Sequence, residues 1–115
     1  MSRGEIWLVD LEPARGAEAN KVRPVVIVGH TVSAARAFAA GHGVVTVVPL
    51  TSNTARVLAF QVLVTARESG LDRDSKAQAE QVRSIDVRRF VRQIGSVAGP
   101  TMRALDDALR LHIDL

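Results

Sequence analysis

Two short groups of polar residues flank predicted strands, where a buried core gains nothing from them. One group precedes the second predicted strand and the other follows the third: Glu18, Asn20, Lys21 and Arg23, then Thr51, Ser52 and Asn53. Arg23 is followed by Pro24, which biases the preceding residue toward an extended backbone and so holds the guanidinium in a defined direction. A guanidinium held this way suits an anion. The alternative is that Arg23 pairs with a carboxylate and that the second group is only a turn.

Several other kinds of site find no support in the sequence. The three histidines are scattered, and none forms a short-spaced pair with another metal ligand. There is no cysteine, which removes disulfides, thiol nucleophiles and iron–sulfur clusters. No G-x-S-x-G turn marks a serine nucleophile, and His112 falls on the apolar face of the last predicted helix, where a packing role is commoner. We therefore expect no metal and no cofactor.

Charge and composition are compatible with a phosphate-rich partner. Fifteen Lys and Arg residues against twelve Asp and Glu give a formal net charge of +3. Four arginines fall within ten residues and form either a candidate basic surface or a solvated edge: Arg83, Arg88, Arg89 and Arg92. One Trp and three Phe are too few for a wall of rings that stacks on successive bases.

The length of 115 residues has room for one domain, which we expect to span residues 1–115. A content of 47% hydrophobic and 23% charged residues is that of a globular protein. The first ten residues contain Arg3, Glu5 and Asp10, and they lack the long apolar stretch of a signal peptide. All apolar runs are strand-sized. We therefore expect a cytoplasmic protein without a membrane segment.

The hydrophobic pattern predicts five or six short strands and two helices. Apolar and β-branched runs predict strands within residues 5–11, 25–28, 44–48, 59–64, 75–85 and 91–97. An alanine-rich segment predicts a short helix over residues 32–40, and Pro49 is expected to end the third strand. Apolar residues at three- and four-residue spacing after Gly99 and Pro100 predict a C-terminal amphipathic helix. This order predicts a mainly β fold with helices, a small SH3-like barrel with a C-terminal amphipathic helix.

A series of motifs along nearly the whole chain resembles a known family. The motifs are Arg3-Gly-Glu-Ile-Trp-Leu-Val-Asp-Leu-Glu-Pro, Gly16-Ala-Glu-Ala-Asn-Lys-Val-Arg-Pro-Val-Val-Ile-Val, Val48-Pro-Leu-Thr-Ser-Asn, Ala79-Glu-Gln-Val-Arg-Ser-Ile, Ile94-Gly-Ser-Val and Met102-Arg-Ala-Leu-Asp-Asp-Ala-Leu. Each motif alone is weak, but their order and spacing in a chain of this length are specific. The sequence resembles the MazF/PemK family of toxin endoribonucleases, on its MazF branch.

This resemblance implies a CcdB/MazF-type barrel that acts as a homodimer. It implies the toxin of a type II toxin–antitoxin system, which cleaves single-stranded RNA at specific sequences without a metal and so inhibits translation and growth. The expected products are a 2′,3′-cyclic phosphate and a 5′-hydroxyl. The expected partners are RNA and an antitoxin with a flexible, acidic segment.

The resemblance also assigns roles to individual residues. Arg23 matches the family's catalytic arginine, Thr51 its catalytic hydroxyl residue, and Glu18 a catalytic glutamate for which general base is the natural role. Charge stabilisation is the first role expected of Arg23 and proton donation the second, because an arginine stays protonated in proteins. The residues expected to bind RNA are Arg15, Asn20, Lys21, Ser52, Asn53, Glu80, Gln81 and Arg83.

The chain departs from the PemK branch at three positions. That branch carries an arginine and an aspartate on the strand occupied here by Gln78 and Glu80, and a histidine where this chain has Ala17. Gln78 cannot supply a cation and Ala17 cannot move a proton, although Glu80 keeps a carboxylate. The acid–base set of that branch is therefore absent, and the MazF-type set is the one we expect.

Two other functions remain open at this point. A CcdB-type gyrase-poisoning toxin shares the fold and the dimer but cuts nothing, and a plain SH3-like module would bind nucleic acid or protein without catalysis. Arg23 beside Pro24, together with Thr51, favours the ribonuclease. Incubation with RNA in EDTA separates the three, because only the first cleaves and the third binds RNA without cleaving it.

Overall fold

The computed structural model describes residues 1–11 and 22–115. In this part of the chain, seven strands form antiparallel pairs in one sheet, and three helices accompany them. The strands are β1 (Glu5–Asp10), β2 (Val22–Ile27), β3 (Val44–Thr51), β4 (Gln61–Val64), β5 (Ser75–Gln78), β6 (Arg83–Asp86) and β7 (Phe90–Ser96). The helices are α1 (Thr31–Ala40), α2 (Ala66–Ser69) and α3 (Gly99–His112). The prediction of a mainly β fold with a C-terminal helix is confirmed.

The long strand β3 organises the sheet. The strand order is β4-β5-β3-β2-β1-β7, and β6 also pairs with β3. Val44–Val47 of β3 pair with β6, whereas Leu50 and Thr51 pair with β5. One strand thus serves two neighbours on the same edge, which turns the sheet into a strongly bent, open barrel. Within the described residues its end strands β4 and β7 do not pair with each other.

The central strand β2 is buried on both faces of the sheet. Val25 and Ile27 pack in the cluster that contains Ala34 of α1, and Val26 packs in the cluster that contains Leu105 of α3. These three residues of β2 follow the two-residue alternation of a β-strand. The apolar run that predicted a buried strand is therefore explained by a helix on each side.

The prediction that Pro49 ends the third strand is wrong. β3 continues through Pro49 to Thr51. On the outer edge of β3, pairing with β6 stops at Val47 and pairing with β5 starts at Leu50, so Pro49 lies between the two partners. Its missing N–H is tolerated there because neither neighbour requires it.

Two further elements differ from the sequence-based expectation. The predicted strand over residues 75–85 is two strands, β5 and β6, separated by a 3₁₀ turn at Ala79–Gln81. Helix α2 was not predicted, although Thr65 and Glu68 form a reciprocal capping box at its start. That Thr-x-x-Glu spacing is a recognised helix-start signal. Among the described residues, no helix has both the length and the hydropathy needed to span a membrane.

Candidate active site

Arg23 and Thr51 lie in one surface cavity, which we call the Arg23 cavity. Its volume is about 270 Å³. The residues that line it are Arg23, Pro24, Leu50, Thr51, Ser52, Leu71, Asp72, Arg73 and Ser75. The structure thus brings together two of the three predicted catalytic residues and one predicted RNA-binding residue, Ser52. Two guanidinium groups and three hydroxyl groups around one cavity can hold the oxygens of a phosphate.

The register of the sheet explains why Arg23 and Thr51 meet. Val25 of β2 is paired with Pro49 of β3, and the same register continued by two residues places Arg23 opposite Thr51. Residues opposite each other in an antiparallel pair present their side chains on the same face, about 5 Å apart. The sequence pattern predicts both residues just outside the strands, and this is wrong: Arg23 lies in β2 and Thr51 ends β3.

Strand β1 holds Arg23 from its other side. Val9 is the cross-strand partner of Arg23, and Leu8 is the partner of Pro24. Arg23 itself is exposed, while Val9 is fully buried in the core. The backbone of Arg23 is therefore fixed by a central strand while its guanidinium stays accessible to a ligand.

The segment after β3 is both a turn and part of the site. The Thr51 Oγ1 accepts a hydrogen bond from the Asn53 N–H at 3.3 Å, and Asn53 Oδ1 accepts one from the Ala55 N–H at 3.4 Å. A hydroxyl that accepts in this way keeps its own proton for donation. The turn interpretation is therefore correct for the backbone, and Thr51 also lines the cavity.

Asp72, Arg73 and Ser75 were missed by the sequence reasoning. Asp72 and Arg73 lie between α2 and β5, and Ser75 begins β5. Ser75 Oγ donates to the Arg73 carbonyl oxygen at 3.5 Å. Within residues 1–11 and 22–115, neither Arg23 nor Arg73 forms a salt bridge with a carboxylate. The sequence signal that could have identified them is the polar run of residues 72–75, which is typical of an exposed loop.

A second cavity, the Arg92 cavity, adjoins the first. It has a volume of about 540 Å³ and shares Pro24, Leu71 and Asp72 with the Arg23 cavity. Arg92 and Gln93 of β7 line its far side. The two cavities together form a groove with arginines at both ends, which is a suitable track for a polyanion.

The predicted basic surface is divided by the fold. Arg88 forms a salt bridge with Asp86 at 2.7 Å, and Arg89 donates to the carbonyl oxygens of Asp10 and Leu11 at 3.2 and 3.1 Å. The hydrogen bonds from Arg88 lower the pKa of the Asp86 carboxyl to about 2. These two arginines therefore have intramolecular partners, whereas Arg92 lines the groove.

The other residues expected to bind RNA are dispersed. Asn53 lines a neighbouring cavity, Gln81 and Arg83 are exposed, and the Glu80 carboxylate accepts a hydrogen bond from Gln61 at 2.7 Å. Four predicted site residues lie outside the described residues: Arg15, Glu18, Asn20 and Lys21. Their roles stay predictions.

The histidines take no part in this groove. Within the described part of the chain, no group of three or more potential ligands is close enough to hold a metal ion. His112 is exposed and packs edge-to-face against Phe60, with a distance of 5.3 Å between ring centroids. This contact agrees with the packing role predicted for His112.

Comparisons with known proteins agree with the fold. A family model described as PemK-like, MazF-like toxin of type II toxin-antitoxin system matches residues 2–113. The chain is 56% identical over 115 residues to "Endoribonuclease MazF9" of Mycobacterium tuberculosis, covering 100% of this chain and 98% of that protein.

Solved structures of MazF proteins share the fold of this chain. "Mycobacterium tuberculosis toxin MazF-mt6" has a TM-score of 0.78 and 30% identity, covering 96% of this chain and 97% of its own. A chain of the MazE-MazF crystal structure (Form-II) from Deinococcus radiodurans has a TM-score of 0.78 at 21% identity, covering 100% and 96%, and supports the fold.

A small, bent antiparallel sheet with a C-terminal helix, matched by a family model along almost the whole chain, defines a MazF-type toxin. The chain belongs to the PemK-like, MazF-like toxin family of type II toxin–antitoxin systems.

Proposed function

We propose that this protein is an endoribonuclease toxin that cleaves single-stranded RNA at a phosphate bound in the Arg23 cavity. The observation that carries the proposal is the meeting of Arg23 and Thr51 in one cavity, with Arg73 beside them. The relative at 56% identity is named an endoribonuclease. A catalyst of this kind inhibits translation and growth when it acts on RNA in the cytoplasm.

The reaction needs no group beyond the RNA and the protein. The ribose 2′-oxygen attacks the adjacent phosphorus, the 2′-O–P bond forms, and the P–O5′ bond breaks. The 2′-hydroxyl proton goes to a general base and the leaving 5′-oxygen takes up a proton, which gives a 2′,3′-cyclic phosphate and a 5′-hydroxyl. Metal independence follows from this chemistry, because the nucleophile and the leaving group are both handled by proton transfer.

The side chains divide this work by their chemistry. Arg23 binds the non-bridging oxygens as charge grows on them, and Arg73 supports it from the facing loop. The Thr51 hydroxyl donates to the same phosphate. Glu18 is the expected general base, and Asp72 is a second carboxylate that lines the cavity.

We also propose that the protein is a homodimer with an antitoxin as its partner. Leu63 and Leu111 are 45% and 57% exposed, and both line an apolar groove of about 450 Å³ between β4 and α3. A second copy would cover this surface. An acidic antitoxin segment would compete with RNA for the groove that contains Arg23 and Arg92.

Incubation of the purified protein with RNA in EDTA tests the proposed reaction. Cleavage that leaves a cyclic phosphate and a 5′-hydroxyl is expected, and binding without cleavage would indicate a non-catalytic module instead. Light scattering tests the dimer: a dimer is expected for the native chain and a monomer for Leu111→Asp. A native monomer at micromolar concentration would contradict it.

A further inference from the structure

A buried lysine lies next to the proposed active site. Lys76 is only 9% exposed, and its Nζ donates to the Arg56 carbonyl oxygen at 2.5 Å. Among the described residues Lys76 forms no salt bridge. An ammonium group has three N–H donors and is costly to bury, so lysine is rarely found at this depth without a pair. Its position therefore points to a ligand that supplies the missing acceptors.

Lys76 lines a cavity of its own, which we call the Lys76 cavity. The cavity has a volume of about 260 Å³, and Asn53, Ala55, Arg56 and Leu58 form the rest of its lining. Ala55 and Leu58 are apolar, whereas Lys76 and the Asn53 amide are polar. An apolar surface for a ring face combined with polar groups for its edge is what a nucleobase requires.

The wall of the Lys76 cavity is held in place by part-buried hydrogen bonds. Gln61, itself 8% exposed, accepts the Leu58 N–H through Oε1 at 2.9 Å. Its Nε2 donates to Glu80 Oε2 at 2.7 Å. With the Lys76–Arg56 bond, these contacts fix the segment before β4 at two points. The cavity is therefore preformed, which lowers the ordering cost of binding.

The Lys76 cavity adjoins the Arg23 cavity. Lys76 of β5 is the cross-strand partner of Thr51, and the Asn53 N–H donates to Thr51 Oγ1. Thr51 lines the Arg23 cavity and Asn53 lines the Lys76 cavity, so the two cavities meet at this turn. A phosphate bound at Thr51 would therefore have the Lys76 cavity beside it, within reach of the base of an adjoining nucleotide.

We propose that the Lys76 cavity binds the nucleobase next to the scissile phosphate and that Lys76 selects guanine or uracil there. This inference rests on the proposed RNA cleavage. An ammonium can only donate, and it pairs with the carbonyl oxygen that guanine and uracil carry on the base edge. Adenine and cytosine carry an amino group at the equivalent position, which would face the cation with a second donor.

The test measures cleavage of RNAs that carry each of the four bases at the positions flanking the cleaved bond. The native protein is expected to prefer guanine or uracil at one flanking position by about tenfold, the discrimination of one good base contact. Lys76→Met keeps the aliphatic stem but removes the donor. It is expected to cleave more slowly and to lose this preference. Arg36→Met is the control: it removes a charge from the exposed face of α1 and is expected to keep the native base preference.

Each alternative outcome has a defined meaning. A folded Lys76→Met variant with the native preference at every position would overturn the assignment. If Lys76→Met fails to fold by circular dichroism, Asn53→Ala at an exposed position of the same cavity is expected to weaken the preference, and an unchanged preference would overturn it.

Failure of the proposed function gives a different result. A native protein that cuts no RNA contradicts the ribonuclease itself. The base preference is then measured as equilibrium binding of uncleavable 2′-deoxy oligonucleotides to the native protein and to Lys76→Met. Equal preferences of the two proteins in this assay would overturn the Lys76 cavity as a base site.

Discussion

Arg23 occupies a position in which its backbone is rigid and its side chain is free to bind. In the proposed reaction it stabilises charge that develops in the transition state, so its loss affects the rate more than the fold. We expect Arg23→Ala to lower turnover by a factor of about 100 or more, the usual effect of removing one preorganised donor. Thr51→Ala should lose less, because a neutral hydroxyl is the weaker donor.

Initial rates of RNA cleavage measure both effects, with circular dichroism to confirm folding. Arg36→Ala is the matched control, because Arg36 is exposed on α1 and lines none of the cavities described above. A folded Arg23→Ala variant with near-native turnover would refute the site.

We predict that the Asp86–Arg88 pair makes the stability of the fold, and not catalysis, depend on pH. The pKa of Asp86 is lowered from 3.8 to about 2 by the Arg88 hydrogen bonds. The ionised carboxylate is thus favoured in the folded state, so the pair stabilises the fold above pH 3.8 and this contribution is lost as the pH falls toward 2. In Arg88→Ala, NMR titration should show the Asp86 pKa close to its ordinary value. A pKa still near 2 would mean that another group lowers it.

Strand β7 and helix α2 approach so closely that only glycine fits between them. A Cβ at Gly95 would lie 1.9 Å from the Ser69 carbonyl oxygen, a backbone atom that cannot rotate away. We expect Gly95→Ala to reduce the free energy of unfolding by about 3 kcal/mol, the upper range of overpacking effects. Urea denaturation at matched protein concentration measures this change.

Gly99→Ala is the control for that substitution. Its Cβ would meet only the flexible end of the Arg103 side chain, at 3.4 Å. It should unfold at the same urea concentration as the native protein or at a slightly higher one. Equal stability of Gly95→Ala and Gly99→Ala would show that the contact with α2 is not maintained in solution.

The elements with long, regular apolar patterns were predictable from the sequence. Gly41, Gly99 and Pro100 marked helix ends, and the run at residues 25–28 indicated burial on both faces. The exchange of partners along β3 was not predictable, because pairing with β5 and β6 depends on contacts between residues far apart in the chain. Pro49 was misread for this reason: a proline breaks a strand only where a neighbour needs its N–H.

The site was predictable to a similar extent. Arg23 and Thr51 were identified by their types, by Pro24 and by the family resemblance, but their meeting depends on the β2–β3 register, which local sequence does not encode. Asp72 and Arg73 were missed because a charged loop is ordinarily a solvated surface. Glu80 was expected at the RNA, yet its contact with Gln61 connects it to the wall of the Lys76 cavity.

The molecule as a whole presents a groove with arginines at both ends to a polyanion. We expect a flexible acidic antitoxin segment to compete with RNA for this groove, and the competition to weaken as salt rises because part of the attraction is screened. Titration of a peptide from the cognate antitoxin against labelled RNA at two salt concentrations measures this competition. Simultaneous binding of peptide and RNA without loss of affinity would place the inhibitor elsewhere.

The measurement that tests the central proposal most directly uses one RNA in two forms, in the presence of EDTA. The two forms differ only in the 2′-hydroxyl at the cleaved bond, which is replaced by hydrogen in the second. Since the 2′-oxygen is the proposed nucleophile, the native RNA should be cut to a 2′,3′-cyclic phosphate and the 2′-deoxy form should stay intact. Cleavage of the 2′-deoxy form, or loss of all cleavage in EDTA, would contradict 2′-hydroxyl attack at the Arg23 cavity.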